Sequence, residues 1–235
     1  MTKKKKIVIS ISIILSAVIV ASLLFVFLHV IPKNQEKRER ERLIQAYRQS
    51  KIELYMQDNS AYDDFEVDVA FLGDSLTDAY DLERFYPLWK VVNRGIAGDT
   101  TFDLENRLQV SAYDLKPKVV VMLIGGNNFS TMLENYERIV EGLKTNLPET
   151  KIVLLSLTAM NGVWAKNNEK ARLNNVEIEL IAQKHGCSFV DLYTPLFDAE
   201  SNEAKAGYTL DGAHLSEEGY EVITSAIKPV LEGLL

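Results

Sequence analysis

The chain has 235 residues, 47% apolar and 25% charged, which is ordinary globular composition with length enough for one sizeable core. Residues 1–51 hold 11 of the 26 basic and 3 of the 33 acidic residues, so residues 52–235 carry 15 basic against 30 acidic side chains. An acidic globular part argues against nucleic acid as a partner, and the single cysteine, Cys187, excludes an internal disulfide.

In chain order, a short basic tail (1–6) contains Lys3 to Lys6. An uncharged run follows over residues 7–31, interrupted only by His29 and four serines. Twenty-five such residues exceed the ~20 a helix needs to cross a bilayer. A cleaved signal would have a shorter apolar region and a small-residue cleavage site. The run therefore reads as an uncleaved transmembrane anchor, with a cytoplasmic N-terminus and the rest of the chain extracytoplasmic. Basic residues on its far flank, Lys33 and Lys37 among them, weaken the orientation argument. Residues 32–60 are charged, and from residue 33 to 58 they lack Gly and Pro. Glu36 and Arg40, like Lys37 and Glu41, are spaced for ion pairs along a helix, so this segment reads as a solvated helical stalk.

The remaining 61–235 alternate strand and helix signals. Val67, Val69, Ala70, Phe71 and Leu72 form an apolar strand broken by Gly73-Asp74, which sets Ser75 just beyond a strand's carboxyl end. Residues 82–89 are a short connection whose Phe85, Tyr86 and Trp89 read as packing. A second strand covers 91–93. Gly95 and Gly98 lie in the loop that follows, and Thr100 with Asp103 resembles a capping pair for a helix over 102–110.

The stretch 118–124, apolar without a break after Lys118, is the clearest strand, as expected of a parallel strand covered on both faces. It stops at Gly125-Gly126-Asn127-Asn128. A helix over 131–146, a strand over 152–157, a helix over 167–184, a strand over 188–190 and a last helix over 217–234, N-capped by Ser216, complete the pattern. Such alternation implies an α/β fold with a parallel sheet and right-handed crossovers.

Of three histidines, His29 lies in the apolar run and His185 at a helix end, where it suits the dipole. His214 remains as a base, with Asp211 three residues earlier in a turn, able to hold the imidazole by its Nδ1–H. Taken singly, Gly-Asp-Ser and Asp-x-x-His are ordinary turns; together they supply a nucleophile, a base and a residue that orients the base.

Gly73-Asp74-Ser75-Leu76, Gly98, Gly125-Gly126-Asn127 and Asp211-x-x-His214 resemble, in order, the four blocks of the SGNH (GDSL) hydrolase superfamily over residues 65–235. Asn128 where many members have Asp, and Leu215 where Pro is frequent, depart from the pattern outside its catalytic positions. The resemblance implies a flavodoxin-like three-layer α/β/α sandwich whose five-stranded parallel sheet runs in the order 2-1-3-4-5. It also implies a serine esterase with Ser75 as nucleophile, His214 as base and Asp211 as its partner. The oxyanion donors would be the N–H groups of Ser75 and Gly98 and the side-chain amide of Asn127.

No cofactor or metal is implied. The substrate expected is a small-acyl ester of an envelope glycan or a lysophospholipid. Alternatives are an O-acetyltransferase using the same triad, or a non-catalytic surface binding module. Asp74 and Asp99 are expected to bond backbone in their loops and Arg94 to pair with an acid, while Trp164 is left open between lining a pocket and covering the sheet edge. Acyl length, alcohol and oligomeric state are not legible.

Overall fold

The structure is a computed structural model that describes residues 2–4, 15, 16, 18, 22 and 24–235. About half of the anchor expected at 7–31 falls outside these residues. Among the described residues no helix is long and apolar enough to cross a membrane. The chain divides into two compact units, Met1–Ser50 and Lys51–Leu235. In the first, the Lys37–Glu41 pair is present at 3.8 Å with both side chains largely exposed, an arrangement that contributes little to stability.

Helix α1 (Ile31–Asn59) crosses the division between the units. Its final turns are not solvated: Tyr55 and Asn59 are buried, the Tyr55 hydroxyl donates to the Gly95 carbonyl, and Asn59 Nδ2 donates to Val110 O at 2.7 Å. The expected start of the domain at residue 61 therefore moves back to Lys51, because the end of the expected stalk carries aromatic and polar groups that the globular unit buries.

The second unit is built on strands β1 (Val69–Gly73), β2 (Val91–Gly95), β3 (Val119–Leu123), β4 (Lys151–Leu155) and β5 (Ser188–Val190). They form one sheet in the order β2-β1-β3-β4-β5, all pairs parallel, in agreement with the expected topology. Every residue of β1 and β3 is buried. Full burial of side chains such as Val121, Met122 and Leu72 is worth about 1.5–3 kcal/mol each, which explains why these segments read as unbroken apolar runs.

The connecting helices are α2 (Ser75–Asp78), α3 (Thr101–Asn106), α4 (Met132–Asn146), α5 (Asn168–His185) and α6 (Glu217–Glu232). Right-handed crossovers put α3, α4 and α5 on one face of the sheet, where α4 lies between the other two. The opposite face is covered by α6, whose Tyr220 hydroxyl donates to Leu76 O at 2.9 Å and whose ring stacks on Tyr80 at 4.8 Å. Ser216 caps α6 by accepting from Gly219 N at 3.1 Å.

The helix expected over 102–110 is shorter. After α3 the backbone leaves the α path at Arg107 (φ −117°) and resumes as a π-helical turn over Gln109–Tyr113. This break accompanies the turn of the Arg107 side chain into the interior, described below.

Reversal of strand order between β1 and β3 opens a crevice at their carboxyl ends, the position where open α/β sheets place ligands.

Candidate active site

Ser75 is the first residue of α2, directly after β1. Asp74 precedes it as N-cap and accepts from Leu76 N at 3.1 Å. The strand-to-helix turn is tight enough to need Gly73: a Cβ there would lie 2.1 Å from Thr77 Oγ1 and 2.3 Å from Leu123 O. Absence of a side chain thus lets α2 start hard against β3 and projects the Ser75 hydroxyl over the sheet edge.

His214 comes from the loop before α6. Its Nε2 lies 3.0 Å from Ser75 Oγ, and its Nδ1 lies 2.7 Å from Asp211 Oδ2. The other Asp211 oxygen accepts from the backbone N–H groups of His214 at 2.9 Å and Ala213 at 3.0 Å. Those bonds, the His214 N–H first and the imidazole next, hold the Asp211 carboxyl down at about 2, so it is ionised and acceptor-only at neutral pH. An acceptor at Nδ1 selects the tautomer protonated there and leaves Nε2 free to take a proton from Ser75.

Asn127 follows β3 in the loop that ends the strand. Together with Ser75 and His214 it lines a cavity of about 110 Å³. Its Nδ2 donates to Asp99 O at 2.9 Å, which ties it to the loop holding Gly98. Gly98 has φ +84°, with open space where a Cβ would point, so the loop passes this position in a conformation other residues avoid. Four of the five sequence-predicted positions, Ser75, Asp211, His214 and Asn127, are thus brought to one crevice. Gly98 borders it through the Asn127–Asp99 link.

Asn128, the departure from the family pattern, joins the same two loops: it accepts from Thr101 N at 3.3 Å and donates to Thr101 Oγ1 at 2.9 Å. Thr100 and Asp103 form the expected capping box, which fixes the start of α3. Trp164, though exposed over part of its ring, lines the cavity with Leu123, Ile124, Phe129, Leu157 and Met160. The question left open by the sequence is decided for the pocket.

Beneath the crevice lies a network that the sequence reading missed. Arg107 is buried; its Nε donates to Asp99 Oδ2 at 2.6 Å, its Nη1 to Arg94 O at 2.9 Å and Ser111 Oγ at 2.7 Å, and its Nη2 to Gly73 O at 2.9 Å. One guanidinium thereby clamps the ends of β1 and β2 to the Gly98 loop, with the planar multiple-donor geometry that only arginine offers. Asp99, expected to bond backbone, is instead the charge partner of this clamp. Arg94 does pair with an acid, Asp58, at 2.6 Å. The one available signal was Asp99 and Arg107 eight residues apart across a helix start, too common a spacing to read. Burial, with the charge of Asp99 added, raises the Asp74 carboxyl to about 7.

The family model for GDSL-like lipase/acylhydrolase matches residues 71–222, well over half of the chain. The chain belongs to that family. That family is part of the SGNH hydrolase superfamily, in agreement with the resemblance of the four sequence blocks. The chain is 36% identical over 135 residues to the platelet-activating factor acetylhydrolase IB subunit alpha2 of Rattus norvegicus, a stretch that is 51% of this chain and 58% of the other. It spans about half the length of the curated relatives it matches. A structure of a GDSL-like lipase from Bacteroides thetaiotaomicron superposes with a TM-score of 0.69 at 26% identity, covering 78% of this chain and 98% of that one. One from Streptococcus pneumonia, named for platelet activating factor, does so at 0.75 and 26%, covering 84% and 99%.

Among the described residues one group of possible metal ligands converges, Glu137, Glu141 and His185. It lies on α4 and at the end of α5, away from the crevice, and Glu137 is already paired with Lys184 at 2.6 Å.

Proposed function

We propose that the protein hydrolyses short-acyl carboxylic esters through an acyl-enzyme on Ser75. The observation that carries this reading is the unbroken relay from Ser75 Oγ to His214 Nε2 at 3.0 Å and from Nδ1 to Asp211 Oδ2 at 2.7 Å. As Ser75 Oγ attacks the ester carbonyl, its proton passes to His214 Nε2, and ionised Asp211 stabilises the imidazolium. The carbonyl oxygen becomes an oxyanion facing the N–H groups of Ser75 and Gly98 and the amide of Asn127. The ester C–O bond then breaks, the departing alkoxide takes the proton from His214, and a water activated by the same imidazole releases the acid.

Cavity size supports a short acyl group. About 110 Å³ of mainly apolar space is less than the ~150 Å³ cavity that admits benzene, which suits an acyl group of roughly four carbons or fewer. The likeness to platelet-activating factor acetylhydrolase points the same way, to a small acyl group. We also propose that the apolar run over residues 7–31 anchors the enzyme in a membrane with the catalytic unit outside the cytoplasm.

A fluorophosphonate probe and a p-nitrophenyl ester series test the reading on the full chain. Labelling at Ser75 and turnover that falls beyond butyrate are expected. Absence of labelling, or equal turnover of acetate and decanoate, counts against it.

A further inference from the structure

Helix α5 is the outer helix of its layer and lies over β4 and β5, at the edge of the sheet. Its inward side is built as the helical period requires, with Ala171, Asn174, Ile178, Ile181 and Ala182 buried. The outward side of such a helix is ordinarily polar. Here Leu173 (61% exposed), Val176 (56%) and Leu180 (51%) follow one another at spacings of three and four residues and make one apolar stripe pointing away from the sheet. Single exposed apolar residues are normal on any surface, but a helix apolar on two sides is patterned as one covered on both.

The charges beside the stripe identify what covers it. Leu173 and Leu180 lie equally far from a point between Val176 and Glu177, and so do Glu169 and Lys184. A second copy of α5, packed antiparallel across a twofold axis at that level, therefore sets Leu173 against Leu180 and Glu169 against Lys184, twice over. Along one flank it also brings Arg172 near Glu179 of the other copy. A parallel pair would instead oppose every charge to itself. Such self-complementarity is what a twofold interface demands, since the same patch must serve both sides. Lys184 also holds Glu137 at 2.6 Å, but its side chain is 63% exposed, and a surface pair of this kind is worth too little to withhold it.

We propose that Leu173, Val176 and Leu180 form the seam of a twofold homodimer in which two copies of α5 pack antiparallel. Glu177, nearest the axis, meets its own copy, and two crossed helices make a contact at the small end of specific interfaces. The dimer is thus reversible, with dissociation expected in the micromolar range. The seam is independent of the ester chemistry, and its tests use no substrate.

Cross-linking of the full chain in detergent micelles, with Cys187→Ser to remove the native thiol, reads the register. Val176→Cys is expected to give a disulfide-linked dimer on mild oxidation, because its Cβ faces the axis. Leu173→Cys alone is expected to remain unlinked, since its two copies are offset by seven residues, or about 10 Å along the helix, beyond disulfide reach. Mixing it with Leu180→Cys protein should produce the link. No link through Val176→Cys, or Leu173→Cys alone linking as readily as the mixture, overturns the proposal.

Sedimentation in the same micelles measures the strength. Val176→Glu, which puts two carboxylates at the axis, is expected to weaken association at least tenfold with the melting temperature unchanged. Arg172→Glu and Glu179→Arg should each weaken it severalfold, and the two together should restore it. Association unchanged by Val176→Glu shows that the stripe faces a different partner or none, and the proposal falls.

Discussion

Two carboxylates of the crevice, one beside His214 and one beside Ser75 in the chain, live in opposite environments. Asp211 sits in an exposed turn, takes its bonds from its own loop and from His214, and is held at about 2. Asp74 is buried beside the Asp99–Arg107 pair and is raised to about 7. The comparison separates two tasks. Asp211, which faces the imidazole, is held ionised by the hydrogen bonds of its own exposed turn; charge that fixes loops is sunk beneath the sheet edge, where a broken partner is costly.

The exposed side is broken most severely through the relay. Ser75→Ala is expected to lower kcat for p-nitrophenyl acetate by about 10⁴-fold or more with thermal stability unchanged, and full turnover in that variant would refute the mechanism. Asp211→Asn keeps the shape but loses the charge and the enforced tautomer. A loss of about 10³–10⁴-fold in kcat is expected, with KM little altered. Asn127→Ala removes one donor to the oxyanion, so steady-state kinetics should register about 10²–10³-fold.

The buried side fails differently. Arg107→Met leaves Asp99 as a buried charge without its guanidinium, and chemical denaturation should show a loss of about 3–5 kcal/mol. Activity should fall with it, because the Gly98 loop loses its clamp. Stability unchanged in Arg107→Met would show that the clamp is dispensable.

A last effect sharpens the contrast by pH. Because the Asp74 carboxyl has a higher pKa folded (about 7) than its ordinary 3.8, the folded state binds its proton more tightly. The contribution of Asp74 to stability therefore falls as pH rises from about 4 to 7. Asp74→Asn should remove that decline in Tm while keeping the cap on Leu76 N. Asp211 has the opposite sign: its contribution is present above about 4 and is lost as pH falls towards 2.

The strands and the residues of the relay were legible because both rest on local signals, whereas the strand order came from the family resemblance. A strand buried on both faces must be apolar throughout, as residues 119–123 are, and a turn that presents Ser75 must be closed by a residue as small as Gly73. The Arg107 clamp was not legible, since nothing local distinguishes an arginine that turns inward from one on a solvated helix face; only the meeting of β1, β2 and the Gly98 loop decides it. The buried end of α1 was hidden for a related reason. Tyr55 and Asn59 sit among charged neighbours whose spacing is that of an exposed helix, and their burial depends on the Gly95 and Val110 carbonyls far along the chain. The role of Trp164 likewise needed the cavity wall to be seen whole.

That buried helix end determines where the protein can be cut. A fragment begun at residue 61 would strip Asp58 from the guanidinium of Arg94, leave the carbonyls of Gly95 and Val110 without their donors, and bare the apolar patch of Ile96 and Val110 beside an edge strand. Recombinant forms that start ahead of Lys51 keep this seam closed, and solubility should separate the two designs before any assay is run.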